Sequence, residues 1–467
     1  MKLLHNFIEK LNPEERDKLK AMGLKGKEKD LLLKSFEIAE TQEFDKDQIL
    51  EALQINYNHF RVLCFKVLRK CYKALAGEDD LKVLDFLNSK MLYDHLFSEI
   101  HLIEKKLIKE KAPEDELRNF YRTCFDLSVR LPNYYYEEKT ATDFANKFLS
   151  VVPPAEQLDE KLIIEARMLF NKINQLTVRY RIADVQEEVN KEITELEKHI
   201  DETKDPRARY YIFKTSDLYC VIYKSAAERE PYLQKMVSII EKDNADLPER
   251  EKGLTMFKLA DVLYDDNKIE EAHNFVYKLY IERPDSFKNF FSGFHILIET
   301  SILLKKFDLA ESILNKEFSK IIEMQQEPFC TFALLNYAKL YLHKADYEKA
   351  LGYIIETKKV HNKTLNAAQE VQIRIYENIY FYLSGDIDFA KQLVSANLKF
   401  CEYQKIAERN PQAQLVFDII NACIKASLYE KSLPDDTMQA LENFQKGTLA
   451  IFGRLLMRMV PKTKAEH

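Results

Sequence analysis

Glycine and tryptophan are what this sequence does without: nine glycines in 467 residues, and no tryptophan. So few glycines leave little material for loops that cradle a phosphate or expose a nucleophile. None of the patterns G-x-x-x-x-G-K-[ST], G-x-G-x-x-G or G-x-S-x-G occurs. No Asn-Gly or Asp-Gly sits between alternating runs, which argues against hairpins. Prolines are also few, thirteen in all, and the stretches between breakers carry apolar residues at three-to-four spacing, so an all-helical chain is expected. The seven cysteines, Cys64, Cys71, Cys124, Cys220, Cys330, Cys401 and Cys423, are scattered and form no C-x-x-C pair. They read as small apolar residues in a reducing compartment. No run approaches the roughly twenty apolar residues of a membrane span, and MKLLHNFIEKLNPEER is a poor signal peptide. A cytoplasmic location follows as the expectation. A net charge of −6 excludes a general electrostatic attraction to nucleic acid or membrane.

What is present is a plan that repeats. LTMFKLADVLYDDNKIEEAHNFVYKLYIERPD, from Leu254 to Asp285, reads as two amphipathic helices joined by a polar turn. Met256, Leu259, Ala260 and Leu263 share one face of the first helix; Ala272, Val276 and Leu279 face back from the second, and Pro284 follows. The small residue after the turn recurs as Ala272, Ala310, Ala350 and Ala390. Ile269, Phe307, Tyr347 and Ile387 lie three residues before these anchors, and Val276, Leu314, Ile354 and Val394 four after. That spacing places all three on one helical stripe.

This large-small-large pattern resembles the tetratricopeptide repeat and points to a bacterial family of tetratricopeptide-like proteins. The resemblance implies an all-α fold, a right-handed solenoid of antiparallel helix pairs that binds partners on a concave face. The anchors are 38, 40 and 40 residues apart, against about 34 for the family's unit, so longer helices or looser connections are expected. Met256, Phe294 or Leu334 supplies the large first-helix residue, and never Trp. The glycine that lets helices approach is replaced by Ala260, Ile298 or Ala338, which implies a wider separation in the Ile298 unit. Near Ala390 the first helix fits only with a one-residue shift, through Ile373, Tyr376 and Tyr380.

Upstream the organisation comes from caps and breaks. Asn12 and Pro13 open a capped helix ended by Gly23 and Gly26, and a second helix runs from about Glu28 to Glu40. A short helix, the break Gln54-Ile55-Asn56 and a longer helix then resemble a helix-turn-helix, with Ala52, Leu53, Ile55, Phe60 and Leu63 inside. Residues 1–76 hold 15 Lys and Arg against 12 Asp and Glu, whereas the rest of the chain sums to −9. Asn58, Arg61, Lys66, Arg69 and Lys70 would reach phosphates and base edges if that helix enters a groove. An ordinary charged surface helix carries the same residues, and the turn lacks its usual glycine.

The breaks divide the chain into an N-terminal helical domain (1–76), a helical-pair region (77–205), the solenoid (206–460) and a flexible tail (461–467). The second region contains the run Asn133-Tyr134-Tyr135-Tyr136, which should expose at least one ring. Its steps Ile182, Val185, Val189, Ile193, Leu196 and Ile200 form a short coiled-coil-like seam, for packing or for a homodimer contact. Near the C-terminus Phe444, Ile451, Phe452, Leu455, Leu456 and Met457 are expected to fold back on the solenoid or to join a second copy.

No arrangement of base, nucleophile and oxyanion donor emerges. His95 and His101 are six residues apart without H-E-x-x-H, and the Asp265-Asp266 pair lies in a turn where capping explains it. The chain therefore reads as non-enzymatic, without metal or cofactor. Stacked helix pairs offer binding. Phe257, Asp261, Tyr264 and Asp265 in one unit, and Leu335, Lys339, Leu342 and His343 in another, are expected on the concave face. No carboxylate clamp of clustered Lys, Asn and Arg is among them. A scaffold or adaptor for a protein or peptide is the leading expectation. A regulator touching DNA through residues 1–76, with the repeats as sensor or dimerisation module, is the other.

Overall fold

The computed structural model describes residues 2–41, 46–131, 138–178, 185–243, 245–284, 291–323, 329–361, 367–444 and 450–461. Every regular element among them is a helix. They form two compact units, 1–215 and 216–467. Tyr134, Tyr135, Tyr136, Ile182 and residues 462–467 of the tail lie outside the described residues.

The first unit runs through α1 (Lys2–Glu9), α2 (Pro13–Lys20), α3 (Lys27–Thr41), α4 (Lys46–Leu53), α5 (Tyr57–Ala76) and α6 (Asp80–Ser89). It continues with α7 (Tyr93–Glu110), α8 (Glu114–Arg130), α9 (Glu138–Ser150), α10 (Gln157–Val178), α11 (Gln186–Glu197) and the start of α12 (Pro206–Tyr223). Local chemistry starts these helices. Asn12 accepts from the Glu15 amide at 2.9 Å while Glu15 accepts from that of Asn12, a capping box with Pro13 in the first turn. Asn56 opens α5 by accepting from the His59 amide, and Gln54 takes φ 48 in the turn where glycine is missing. The apolar core is one cluster reaching from Leu4 to Ile164, so it passes residue 76 without a break. Gly77 ends α5, but Val83, Leu84 and Leu87 on α6 bury themselves in the same cluster.

The second unit holds the repeats. After α13 (Ala226–Lys242) come the pairs α14 (Glu249–Asp265) with α15 (Ile269–Glu282), α16 (Phe291–Leu303) with α17 (Phe307–Glu323), α18 (Phe329–Lys344) with α19 (Tyr347–His361), and α20 (Ala367–Leu383) with α21 (Ile387–Tyr403). The short α22 (Ile406–Arg409), α23 (Pro411–Leu428), α24 (Asp435–Asn443) and α25 (Ala450–Met457) complete it. Each second helix starts at Ile269, Phe307, Tyr347 or Ile387, and the anchors Ala272, Ala310, Ala350 and Ala390 are fully buried. Each first helix packs on its own partner and on the next first helix, which is the tetratricopeptide-like arrangement.

One turn closes all four pairs. Five residues before each anchor, Asn267, Lys305, Ala345 and Gly385 take positive φ. The next amide returns to a carbonyl of the last turn: Lys268 to Leu263 at 2.8 Å, Lys306 to Ser301 at 2.8 Å, Asp346 to Tyr341 at 3.0 Å and Asp386 to Phe381 at 2.9 Å. These bonds satisfy carbonyls that the helix end leaves unpaired. Close approach of first helices also has its glycine, at Gly293, where an added Cβ would lie 2.3 Å from the Phe257 ring.

Gly385 sits at φ 95 with open space around a would-be Cβ. Gly385→Ala should therefore lower the unfolding free energy by about 1–2 kcal/mol through backbone strain alone. Gly293→Ala should cost about 1–3 kcal/mol through overpacking on Phe257. Urea denaturation measures both, and an unchanged midpoint would contradict the corresponding assignment.

Candidate partner-binding site

The first helices of the second unit present equivalent positions side by side. On α14, Leu254, Asp261 and Asp265 are exposed and Lys258 is half-buried. The positions matching Lys258, Asp261 and Asp265 are Ile296, Glu299 and Leu303 on α16; Asn336, Lys339 and His343 on α18; and Tyr376, Ile379 and Leu383 on α20. His343 and Leu383 are half-buried and the other seven are buried. A strip open to solvent in the first pair is thus covered in the next three.

The cover is α25. Ala450, Ile451, Leu455, Leu456 and Met459 are buried, and the Phe452 ring stacks on Tyr376 with centroids 5.1 Å apart. The Arg454 guanidinium donates to the carbonyl of Leu303, the last residue of α16. Arg458 donates to the Leu342 carbonyl at 2.7 Å and to the Tyr347 hydroxyl at 2.8 Å. The Tyr382 hydroxyl donates to the Met459 carbonyl at 2.6 Å, and His343 Nε2 lies 3.2 Å from the Ile451 carbonyl. Leu303 and Leu342 lie in the last turns of α16 and α18, where the helix dipole favours a cation. Two arginines four residues apart therefore cap two successive first helices. Burial drives the His343 imidazole down to about 3, so it is neutral under this roof.

Within the strip, Lys339 Nζ is 2.6 Å from Glu299 Oε1, with the two side chains 5% and 2% exposed. The Tyr264 hydroxyl donates to the other Glu299 oxygen at 2.8 Å, and the Lys339 ammonium lies 5.9 Å from the Tyr376 ring centroid. Burial alone would raise the Glu299 carboxyl; the charges of His295 and Lys339 and the bonds from Lys339 and Tyr264 outweigh it and hold the group below its usual value. Burial also lowers His295, so at neutral pH the charge that keeps Glu299 ionised is that of Lys339. At the open end, the surrounding protein and then the neighbouring Asp261 push Asp265 up to about 6, against the opposing charge of Arg229.

Of the eight residues expected on the concave face, Asp261 and Asp265 are exposed and His343 lies under α25. Phe257, Tyr264, Leu335, Lys339 and Leu342 are buried. A first helix in an array has neighbours on both flanks, so its free strip is narrower than a single apolar stripe suggests. Glu299, Tyr376, Arg454 and Arg458 were not singled out as site residues. Glu299 shares the register of Asp261 and Lys339 and could have been found from it; the arginines lie outside the repeat and carry no such signal. In the first unit, Asn58, Arg61 and Lys66 line a groove of about 800 Å³ together with Val62 and Phe65, which are 55% and 38% exposed. Arg69 is paired with Glu99 at 3.2 Å and Lys70 with Glu28 at 2.5 Å, and Ala52, expected inside, is exposed because α4 turns that side to solvent.

Among the described residues, no group of three His, Cys, Asp or Glu side chains could hold a metal ion, and no helix is long and apolar enough to cross a membrane. None of the seven cysteines is in a disulfide, and all are buried. Among solved structures, the apo form of RapI is similar with a TM-score of 0.46 at 14% identity, over 75% of this chain and 98% of that one. A Signal Transduction ATPase with Numerous Domains, with a tetratricopeptide repeat sensor, from Pyrococcus horikoshii is similar with a TM-score of 0.36 at 12% identity. That match covers 94% of this chain and 64% of the other, so the chain spans just under two thirds of it. No family model and no curated protein matches the chain.

The buried pair gives a signed prediction. Lys339→Met leaves the Glu299 carboxylate buried without its cation and should cost about 3–5 kcal/mol at pH 7.5. A carboxyl whose folded value is depressed stabilises above its unfolded value and loses that contribution as pH falls through the folded one. The gap between wild type and variant should therefore narrow toward pH 4, where the variant's carboxyl is protonated. Urea melts at the two pH values measure this, and a gap that is constant or wider in acid would contradict the pairing.

Proposed function

We propose that this chain is a non-enzymatic scaffold or adaptor that binds a protein or peptide on the first-helix face of its second unit. The observation that carries this reading is α25, an amphipathic helix held across three helix pairs by an aromatic ring, an imidazole and helix-end carbonyls. A helix of similar chemistry from a partner would meet the same groups. The open strip on α14 adds Asp261 and Asp265, whose mutual repulsion a partner's lysine or arginine would relieve. Seven buried cysteines outside any disulfide support a reducing, cytoplasmic setting. A second copy of the chain is one candidate partner. Nucleic acid through residues 1–76 is the competing reading, and the exposed Val62 and Phe65 beside Arg61 and Lys66 favour protein there, since apolar side chains gain nothing from phosphate.

Capture on the immobilised chain tests this, with nuclease treatment and with Asp261→Asn and Asp265→Asn combined. The reading predicts a protein that survives nuclease and binds the double variant about tenfold more weakly, a loss of roughly 1.4 kcal/mol. Bound nucleic acid alone, or capture indifferent to both substitutions, would overturn it.

A further inference from the structure

We infer that α25 is an internal ligand, occupying in cis the groove that takes the partner, and that the partner is an amphipathic helix with two arginines one turn apart beside an aliphatic face. The inference rests on the partner-binding reading above and names the chemistry of what that site takes.

The position of α25 argues against a terminal cap. A cap covers the last pair of an array. Here α25 lies back across the ends of α16 and α18 and against Tyr376 and Tyr382 on α20. It also stands outside the repeat, with no equivalent in the four pairs. Its polar attachments go mainly to groups that do not depend on covalent continuity: two helix-end carbonyls, a tyrosine hydroxyl and an imidazole. Another chain offering the same donors would be received equally well.

The attachment also suits release. α25 has eight residues, well below the length at which an isolated helix holds its shape in water. It is helical because it is seated. Arg454 and Arg458 stay exposed at the rim, so water competes for their bonds. The aliphatic face, Ile451, Leu455, Leu456 and Met459, is buried and supplies the affinity. Because α14 packs directly on α16, the acidic strip adjoins this groove, and a longer partner helix has a place there for a third cation.

The chain has no tryptophan, so Phe452→Trp creates a single tryptophan against Tyr376, which can be excited selectively over the tyrosines. The probe is a synthetic peptide of residues 450–461, added to the full-length Phe452→Trp chain. We expect a saturable red shift as the peptide displaces α25, and at least a tenfold higher half-saturation concentration for a peptide with both arginines replaced by alanine. No shift at millimolar peptide would overturn the inference. So would equal competition by the arginine-free peptide. If Phe452→Trp loses its helicity, hydrogen exchange on the unsubstituted chain decides. Amides of residues 450–457 should exchange at least a hundredfold faster than those of 333–342, whereas equal protection would make α25 a fixed part of the core. Each of these three overturning results leaves the capture by Asp261 and Asp265 untouched, so failure here is distinguishable from failure of the partner-binding reading.

Discussion

A carboxylate and an ammonium 2.6 Å apart, Glu299 and Lys339, tie α16 to α18 in a place that water barely reaches. Desolvating both groups is costly, and such a pair persists only when further bonds complete it. Tyr264 supplies one from α14, and the Tyr376 ring on α20 faces the ammonium. The network thus touches four successive first helices and fixes their register. It exists because the strip is covered. On α14, where the cover ends, the equivalent position is an exposed aspartate whose neighbour is pushed toward neutrality.

The cover and the repeat geometry depend on each other. Equivalent positive-φ turns at Asn267, Lys305, Ala345 and Gly385 return the chain at the same point of each pair and bring the ends of α16, α18 and α20 onto one side. Helix ends leave carbonyls without partners. Arg454 and Arg458 reach two helix-end carbonyls with the spacing of one helical turn, so the geometry of α25 and the turn after it matches the spacing of the pairs beneath. The seat thus offers α25 and the turn after it two helix-end carbonyls, the Tyr347 and Tyr382 hydroxyls and the Tyr376 ring.

The repeat was legible because the anchors are fully buried alanines flanked by large residues at fixed offsets, and the second helices begin at the residues those offsets mark. The turns were not, since three of the four left-handed positions are Asn, Lys and Ala rather than Gly. Ala260, Ile298 and Ala338 stand where the repeat's glycine of close approach is expected, and the close approach falls instead at Gly293, one to two turns before Ile298. Phe257 and Tyr264 looked free because a helix wheel has one buried side, whereas a helix inside an array has several. The C-terminal apolar cluster was visible as residues in want of cover. Its destination was not, because nothing in an eight-residue helix outside the repeat says which surface it will cover. The break between α4 and α5 was likewise plain, while the partners of Arg69 and Lys70 lie 30 and 42 residues away.

The most direct test of the account is the titration of the His343 ring by NMR in the full-length chain. With α25 seated, burial holds this imidazole at about 3, so its ring signals should stay constant between pH 5 and pH 8. A midpoint near the ordinary histidine value of about 6.5 would show the strip open to water, and would contradict both the seat of α25 and the groove built upon it.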